Sequence, residues 1–242
     1  MAEWFASVKA EFELNFIKAD RWEYLVTGLG NTLLLTLVAL IVGVLIGIVV
    51  AAVRSTYDKT AETARPSFGR RVFGFFNGLC KVYLTVVRGT PVVVQVMIFF
   101  YVIFATAKDG TMVAALAFGI NSGAYVAEII RGGIMSIDNG QFEAGRSLGF
   151  NYLQTMRYII VPQTIKNVLP SLMNEFIALL KETSVAGYVA VQDLTKAGDI
   201  IRSRTYSAFM PLIAVALIYL AVVMFFTWLV GKLERRLRAS DH

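Results

Sequence analysis

The sequence predicts an all-α, polytopic membrane protein with about five transmembrane helices. The 242 residues are 57% hydrophobic and 17% charged, and the mean hydropathy is +0.63. A soluble domain is about 45–50% apolar and about 25% charged. The charged residues also leave four long gaps, each able to hold a helix of roughly 20 apolar residues. The chain is therefore predicted to form a single transmembrane domain over residues 1–242.

The first predicted span covers residues 25–53, since no charged residue lies between Glu23 and Arg54. It contains Gly43 and Gly47, whose Gly-x-x-x-Gly spacing is typical of a close helix contact. Glycine is also generally common in membrane helices. The pair therefore indicates either a packing face or ordinary composition.

The second and third predicted spans, 87–107 and 111–130, lie on either side of a short turn at Lys108 and Asp109. Pro91 lies near the start of the second span, where the missing N–H costs little. The last predicted span, 206–231, occupies the final uncharged gap before Lys232.

The fourth predicted span, 165–185, is weaker because four charged residues interrupt it: Lys166, Glu175, Lys181 and Glu182. Each charge at mid-depth costs about 2.5–3.5 kcal/mol on insertion scales. Such a helix is expected to face protein or water rather than lipid.

The distribution of basic residues predicts the orientation. Segment 54–71 has five basic and two acidic residues, while segments 131–166 and 232–242 each have four basic and two acidic residues. The positive-inside bias assigns these segments to the cytoplasm, so the N-terminus is expected outside. Two segments on the same side of the membrane are joined by an even number of crossings. Since the span 206–231 supplies one crossing between segments 131–166 and 232–242, the span at 165–185 is required to supply the other. The slightly basic loop 186–206 then lies outside.

Several classes of function lack the residues they need. Cys80 and His242 are the single cysteine and histidine, which argues against disulfides, metal sites and histidine-dependent catalysis. The sequence also lacks a P-loop, a Gly-x-Ser-x-Gly elbow and a His-Glu-x-x-His motif. An intramembrane protease with a Ser–Lys or paired-aspartate site is not excluded, although the spacing of the candidate carboxylates does not favour one. The net charge of +6 is explained by basic cytoplasmic loops rather than by nucleic-acid binding, so we expect no catalytic residue, metal or cofactor in this chain.

The predicted cytoplasmic loop 136–162 is polar enough to leave the bilayer but retains regularly spaced apolar residues. Two short helices joined at Gly149–Asn151 suit it, because glycine has poor helix propensity. The small Ala144 and Gly145 would let another surface approach closely. The segment either packs on its own helix bundle or binds a partner.

This loop resembles the EAA loop of ABC importer permeases, which reads Glu-Ala-Ala, three residues, Gly, nine residues, Ile, one residue and Leu-Pro. The chain has Glu143-Ala144-Gly145, Gly149, Ile159 and Val161-Pro162 in the same register. It departs from the motif at Gly145 and Val161.

Three other stretches are similar to the permeases for polar amino acids, the histidine/glutamine/glutamate/arginine branch. They are Arg88-Gly89-Thr90-Pro91, Ala124-Tyr125-Val126-Ala127-Glu128-Ile129-Ile130-Arg131-Gly132-Gly133-Ile134 and Leu180-Lys181-Glu182-Thr183-Ser184. The resemblance covers roughly residues 20–235. It implies the ABC importer permease fold in a bacterial inner or plasma membrane, with the N-terminus outside and the C-terminus cytoplasmic.

The resemblance also implies partners and a mechanism. Two permease subunits, either two copies or this chain and a paralogue, form the pathway above two ATPase subunits that bind ATP and Mg. An extracytoplasmic binding protein delivers the amino acid. The loop couples to the ATPase through Glu143, Ala144, Gly145, Gly149 and Pro162; Gly149 would permit the turn and Pro162 would end the loop. The alternative is an ion-coupled secondary amino-acid transporter or a channel, which the lack of an inverted repeat disfavours.

Ionisable and polar groups within the predicted spans are the candidate substrate contacts. They are Thr183 or Ser184, then Glu182, and also Asn121, Ser122 and Glu128. Asn121 and Ser122 can equally bond a neighbouring helix, and Glu128 can pair with Arg131 three residues on. Arg88 is expected to reach the headgroups by snorkelling. The basic tail that begins at Lys232 is expected to meet anionic lipid.

Overall fold

A computed structural model describes residues 1–60 and 67–239. The described residues form ten α-helices: α1 (Ala2–Phe12), α2 (Trp22–Thr60), α3 (Phe68–Gly89), α4 (Val92–Ile98), α5 (Gly110–Met135), α6 (Asn139–Ser147), α7 (Tyr152–Thr155), α8 (Val161–Glu182), α9 (Leu194–Thr205) and α10 (Phe209–Ala239). Short π-helical segments extend α1, α4 and α7 at Glu13–Ile17, Phe99–Ile103 and Met156–Ile160. Two 3₁₀ segments lie at Lys18–Asp20 and Thr183–Val189.

Three helices within the described ranges are long and apolar enough to cross a membrane: α2, α5 and α10. A fourth candidate is the pair of α3 and the extended α4, which is bent by 109°. Helix α8 does not join them, since its charged residues lower its apolar character. The span at 165–185, the number of crossings and the side on which each terminus lies therefore stay predictions.

Two predicted boundaries differ from the structure. The predicted span 87–107 is not one helix, because α3 ends at Gly89 and α4 begins at Val92 after the bend. The predicted loop 54–71 is helical at both of its ends, where α2 continues to Thr60 and α3 begins at Phe68. The Ser67 hydroxyl accepts the Arg70 backbone N–H at 3.3 Å and so caps α3.

Parts of the polar segments lie outside the described residues. These are residues 61–66 of the predicted loop 54–71 and residues 240–242 of the tail, which include His242. The rest of the tail from Lys232 continues α10.

The chain divides into two compact units. The first comprises Met1–Ala39, Val92–Phe118 and Ile177–Leu229. Its core contains side chains from the segment after α1, from α2, from α9 and from α10: Phe16, Leu25, Leu194, Ala197, Ile201 and Val215. Gly28 permits a close approach, since a Cβ there would lie 2.8 Å from the Ala197 Cβ.

Helix α9 lies within the predicted outside loop 186–206, and the side of the membrane on which this loop lies stays a prediction. Four of its residues at helical spacing are buried: Leu194, Ala197, Gly198 and Ile201. The buried Asp193 caps the helix by accepting the backbone N–H groups of Thr195 and Lys196. Burial raises the pKa of the Asp193 carboxyl, and these hydrogen bonds oppose the rise.

The second unit comprises Leu40–Pro91, Gly119–Phe176 and Val230–His242. Within it α2 packs closely on α5 at the predicted glycine pair. A Cβ on Gly43 would lie 3.2 Å from the Gly119 carbonyl oxygen, and a Cβ on Gly47 would lie 2.8 Å from the Val126 Cβ. Of the two interpretations of this glycine pair, the structure supports the packing face.

Replacing Gly47 by Ala is expected to lower the thermal unfolding temperature of the detergent-solubilised protein. The added methyl group overpacks the α2–α5 contact, at a typical cost of about 1–3 kcal/mol. Gly30→Ala is the matched control on the same helix, because a Cβ at Gly30 meets open space. Equal unfolding temperatures for the two variants would contradict the tight contact.

Candidate functional site

The predicted pair of short helices in the loop is present as α6 and α7. Asp138 begins α6 by accepting the Gly140 N–H at 2.6 Å. The turn between the helices contains Gly149 with a φ of +81°, a conformation that glycine adopts without a steric cost. Asn151 and Gln154 then form a reciprocal capping box at the start of α7, with bonds of 2.9 and 3.0 Å.

Gly145 is the position at which α6 meets α7. A Cβ there would lie 2.6 Å from Thr155 Oγ1, 2.7 Å from Thr155 Cγ2 and 3.2 Å from Thr155 Cβ. Both Gly145 and Thr155 are buried. The absence of a side chain at Gly145, where the resembling motif has alanine, therefore permits this contact between the two helices.

Replacing Gly145 by Ala should separate the two short helices. We expect faster proteolysis in the turn near Gly149 and a lower unfolding temperature. Adding Thr155→Ala removes the two nearest atoms, so the double variant should regain most of the wild-type protection. Limited proteolysis followed by mass spectrometry measures both effects. If the single variant is as protected as the wild type, the proposed clash between the added methyl group and Thr155 is wrong.

We call residues 138–160 the coupling segment. An apolar cluster of Ile134, Ile137 and Ile160 holds its inner side. On its outer side Leu148 is 70% exposed and Leu153 is 76% exposed. Glu143 and Ala144 are also exposed. The outer side of the coupling segment therefore presents both apolar and charged side chains.

Pro162 lies at the boundary between the predicted loop and α8, and its role in coupling stays a prediction. The chain stays helical from α7 through the π turn into α8, and Pro162 lies in the first turn of α8. The Val161 N–H bonds the Met156 carbonyl oxygen across the π turn. Since Pro162 has no N–H to donate, this wider turn accommodates it without a break in the helix.

An open polar cavity lies within the second unit, and the side chains of Arg88 and Glu128 in it are 41% and 39% exposed. Its volume is about 590 Å³, and it is lined by Arg54, Lys81, Leu84, Thr85, Arg88, Gly89, Tyr125 and Glu128. Lys81, Thr85 and Arg88 are spaced to share one face of α3. Sequence reasoning considered neither Lys81 nor Thr85, although this spacing was available. Among the described residues, no cluster of His, Cys, Asp or Glu is arranged to hold a metal ion.

The charges in the cavity are mostly positive. The lining contains three basic side chains and one carboxylate: Arg54, Lys81, Arg88 and Glu128. The Arg54 Nη1 donates to Asn77 Oδ1 at 2.9 Å, whereas its Nε is buried without a hydrogen-bond partner. The lining therefore favours an anionic group.

Glu128 pairs with Arg88 rather than with Arg131, which corrects the sequence interpretation. The Arg88 Nη1 lies 2.6 Å from Glu128 Oε1, and the Arg88 guanidinium lies 5.4 Å from the centroid of the Tyr125 ring. Arg131 instead bonds Asp58, with 3.1 Å between Nη1 and Oδ2. Arg88 thus has a protein partner, where snorkelling to the headgroups was expected.

The other candidate substrate residues have different surroundings. In the second unit Asn121 and Ser122 are buried, and the Ser122 hydroxyl donates to Glu175 Oε1 at 2.8 Å. In the first unit Thr183 is buried and bonds the Leu180 carbonyl at 2.9 Å. Ser184 and Glu182 are half-buried. Of the predicted substrate contacts, Glu128 is the one that lines the cavity.

The comparisons with known proteins agree with this arrangement. The family described as binding-protein-dependent transport system inner membrane component matches residues 43–239. A putative glutamine transport system permease protein GlnP of Rickettsia bellii (strain RML369-C) is 36% identical over 184 residues, 70% of this chain and 84% of that protein. The arginine transport system permease protein ArtQ of Bacillus subtilis (strain 168) is 35% identical over 185 residues, covering 70% and 84%.

A solved structure has the same fold. The crystal structure of an amino acid ABC transporter with histidines superposes with a TM-score of 0.78 and 38% sequence identity. The similarity covers 90% of this chain and 96% of that one.

Proposed function

The chain belongs to the family of inner membrane components of binding-protein-dependent transport systems, and we propose that it transports polar amino acids. It is a multi-pass permease subunit of an ABC importer in the inner membrane. It is not itself an enzyme, since the ATPase is a separate subunit. The importer also depends on a substrate-binding protein.

The observation that carries the substrate proposal is the cavity around Arg88 and Glu128. A polar amino acid presents a carboxylate and an ammonium group. Arg54 and Lys81 offer positive charge for the carboxylate, and Glu128 offers a carboxylate for the ammonium. A volume of about 590 Å³ lies in the range of small-molecule sites. Glutamine and arginine, the amino acids in the relatives' names, are the substrates we test first.

The remaining candidates have weaker support. Ser122 and Thr183 do not line the cavity, and both bond groups of their own chain. Ser184, Glu182 and Asn121 stay candidates for a second contact along the pathway.

The coupling segment is proposed to bind the ATPase subunit. Glu143 and Ala144 on α6 and Leu148 just after it are exposed, and Gly145 and Gly149 permit the contact between α6 and α7. A rigid segment of this kind can transmit ATP-driven motion as a rigid body. Pro162 contributes by starting α8 without interrupting the helix.

The complete importer is proposed to contain two permease subunits. A second copy of this chain or a paralogue supplies the other half of the pathway, and the ATPase pair binds Mg and ATP. Membrane lipid covers the apolar faces of the spanning helices.

The proposal is tested by reconstitution. The chain, its ATPase and its binding protein are incorporated into vesicles, and uptake of radiolabelled glutamine and arginine is measured with ATP supplied to the ATPase. We expect uptake only when ATP and both partners are present. The control is an importer whose ATPase binds but cannot hydrolyse ATP. Uptake by the chain alone, driven by an ion gradient, would instead establish the secondary-transporter alternative.

A further inference from the structure

The last turn of α2, residues 56–59, contacts three other elements of its own unit. Asp58 bonds Arg131 near the end of α5 at 3.1 Å. Lys59 Nζ donates to Asn139 Oδ1 on α6 at 2.7 Å and lies 4.8 Å from the centroid of the Phe142 ring. The Tyr152 hydroxyl on α7 donates to Thr56 Oγ1 at 3.4 Å. Both helices of the coupling segment are thus bonded to α2.

These contacts are more specific than the ordinary role of a lysine near a helix C-terminus. An interaction with the helix dipole does not require one particular rotamer of the lysine. Lys59 instead donates a hydrogen bond to Asn139 and lies over the Phe142 ring, both in the first turns of α6. Its cation–π and hydrogen-bond contacts reach two residues of α6 that are three apart. The Asp58–Arg131 pair fixes the other side of the same turn.

We infer that the end of α2 is a strut that holds the coupling segment to the first predicted span, with Asp58 and Lys59 as positioning residues. The inference rests on the proposed coupling role of that segment. When the segment moves with the ATPase, the strut makes α2 move with it. Without the strut, the segment follows the ATPase while α2 does not.

Reversing the charge of Asp58 tests the strut in the reconstituted importer. Asp58→Arg faces Arg131 with a like charge, so we expect uptake per ATP hydrolysed to fall at least threefold while the ATPase rate is retained. The double variant Asp58→Arg/Arg131→Asp restores an opposite-charge pair and should recover the wild-type ratio. Asp58→Asn provides a milder variant that removes attraction without adding repulsion.

Lys59 supplies a second, independent test. Lys59→Met keeps the apolar stem and should lower uptake per ATP, whereas Lys59→Arg can donate to Asn139 and stack on Phe142 and should retain it. An unchanged ratio in Asp58→Arg, Asp58→Asn and Lys59→Met would overturn the strut and leave the proposed transport function standing. A wild-type importer without ATP-driven uptake would overturn both.

A separate observation concerns α1, which lies before the residues that the family matches. Its apolar residues Trp4, Phe5, Val8 and Phe12 fall within about a third of the helix circumference. Trp4 and Phe5 are each 64% exposed and Phe12 is 49% exposed. Glu3, Ala6 and Ala10 occupy the opposite face, and Lys9 and Glu11 flank the apolar stripe. Helix α1 therefore has an exposed apolar stripe with a charged residue on each side of it.

The position of α1 beside a spanning helix is fixed by the residues that follow it. Asn15 is fully buried, donates to Ser207 Oγ at 3.3 Å and accepts the Thr205 hydroxyl at 2.8 Å. Phe16 enters the core of the first unit. The exposed apolar surface of α2 then begins at Trp22 and Val26. The start of α2, which follows α1 in the chain, thus also exposes apolar side chains.

We propose that α1 lies in the lipid headgroup region with Trp4, Phe5 and Phe12 directed towards the acyl chains. Residues 1–23 have five acidic and three basic side chains. This excess of negative charge disfavours anionic lipid and favours zwitterionic headgroups. Tryptophan is also enriched at this depth of the bilayer.

Fluorescence of Trp4 tests the location. The full chain with Trp22→Phe and Trp228→Phe keeps Trp4 as its single tryptophan and is placed in phosphatidylcholine nanodiscs. Lipids brominated near the headgroup should quench Trp4 more strongly than lipids brominated near the chain ends, with blue-shifted emission. Emission typical of water without quenching would overturn the proposal. Blue-shifted emission without quenching would also overturn it, because a protein surface would then cover the stripe.

Discussion

Replacing Gly149 by valine should abolish ATP-driven uptake while the ATPase continues to hydrolyse ATP. Gly149 has a φ of +81°, and a β-branched residue is a genuine outlier at positive φ. Strain of this kind typically costs about 1–3 kcal/mol. The turn would relax by changing the angle between α6 and α7, so the coupling segment would no longer present Glu143 and Leu148 together.

Gly149→Asn is the matched control, because asparagine tolerates the left-handed region better than other residues with a side chain. It should keep most of the uptake. The measurement is uptake and phosphate release from the same vesicles, after immunoblotting has established equal amounts of the variants. Full uptake with Gly149→Val would refute the role of a fixed turn in coupling.

Replacing Arg88 by alanine should reduce amino-acid uptake by up to about fivefold. Arg88 lines the cavity and holds Glu128 at 2.6 Å. The two side chains are 41% and 39% exposed, and an ion pair screened by solvent contributes about 0.2–1 kcal/mol, where each 1.4 kcal/mol corresponds to about tenfold in binding. Without Arg88 the Glu128 carboxylate has no fixed position, and the cavity loses one of its three positive charges.

The swapped pair Arg88→Glu/Glu128→Arg separates a structural role from substrate binding. The swap restores an ion pair but exchanges the positions of the charges, so we expect uptake to stay low. Thr85→Val is the control for a change in the cavity lining without a change in charge. Recovery of wild-type uptake by the swapped pair would mean that Arg88 and Glu128 act on folding alone.

Much of the helical framework could be predicted from the distribution of charge. Helices α2, α5 and α10 coincide with charge-free gaps, and the predicted family, membrane location and transport function are confirmed. The bend between α3 and α4 could not be predicted. The absence of charged residues between Arg88 and Lys108 indicates an apolar segment but does not indicate the direction of the helix axis after Pro91. Helix α9 was not predicted, because the sum of charges over a segment does not depend on the spacing of its apolar residues. That spacing is helical at Leu194, Ala197, Gly198 and Ile201.

The candidate site was predictable only where its residues are close in sequence. The turn at Gly149 and the pair of short helices follow from local propensities. The pairs Arg88–Glu128 and Asp58–Arg131 are 40 and 73 residues apart. The rule for neighbours on one helix favoured Glu128 with Arg131, and tertiary packing gave each residue another partner.

The π turn at Met156–Ile160 sets the rotational phase between the two ends of a long helix. It contains one more residue than an α-helical turn would hold. Removing one residue there would convert the π turn into an ordinary α-helical turn, so α8 would keep its rotational phase relative to α7. Removing one residue from the regular part of α8 before Glu175 would instead rotate everything after it by about 100°, and Ser122 would lose Glu175 as its partner. A one-residue deletion is thus absorbed in this short stretch and not in the helix that follows it.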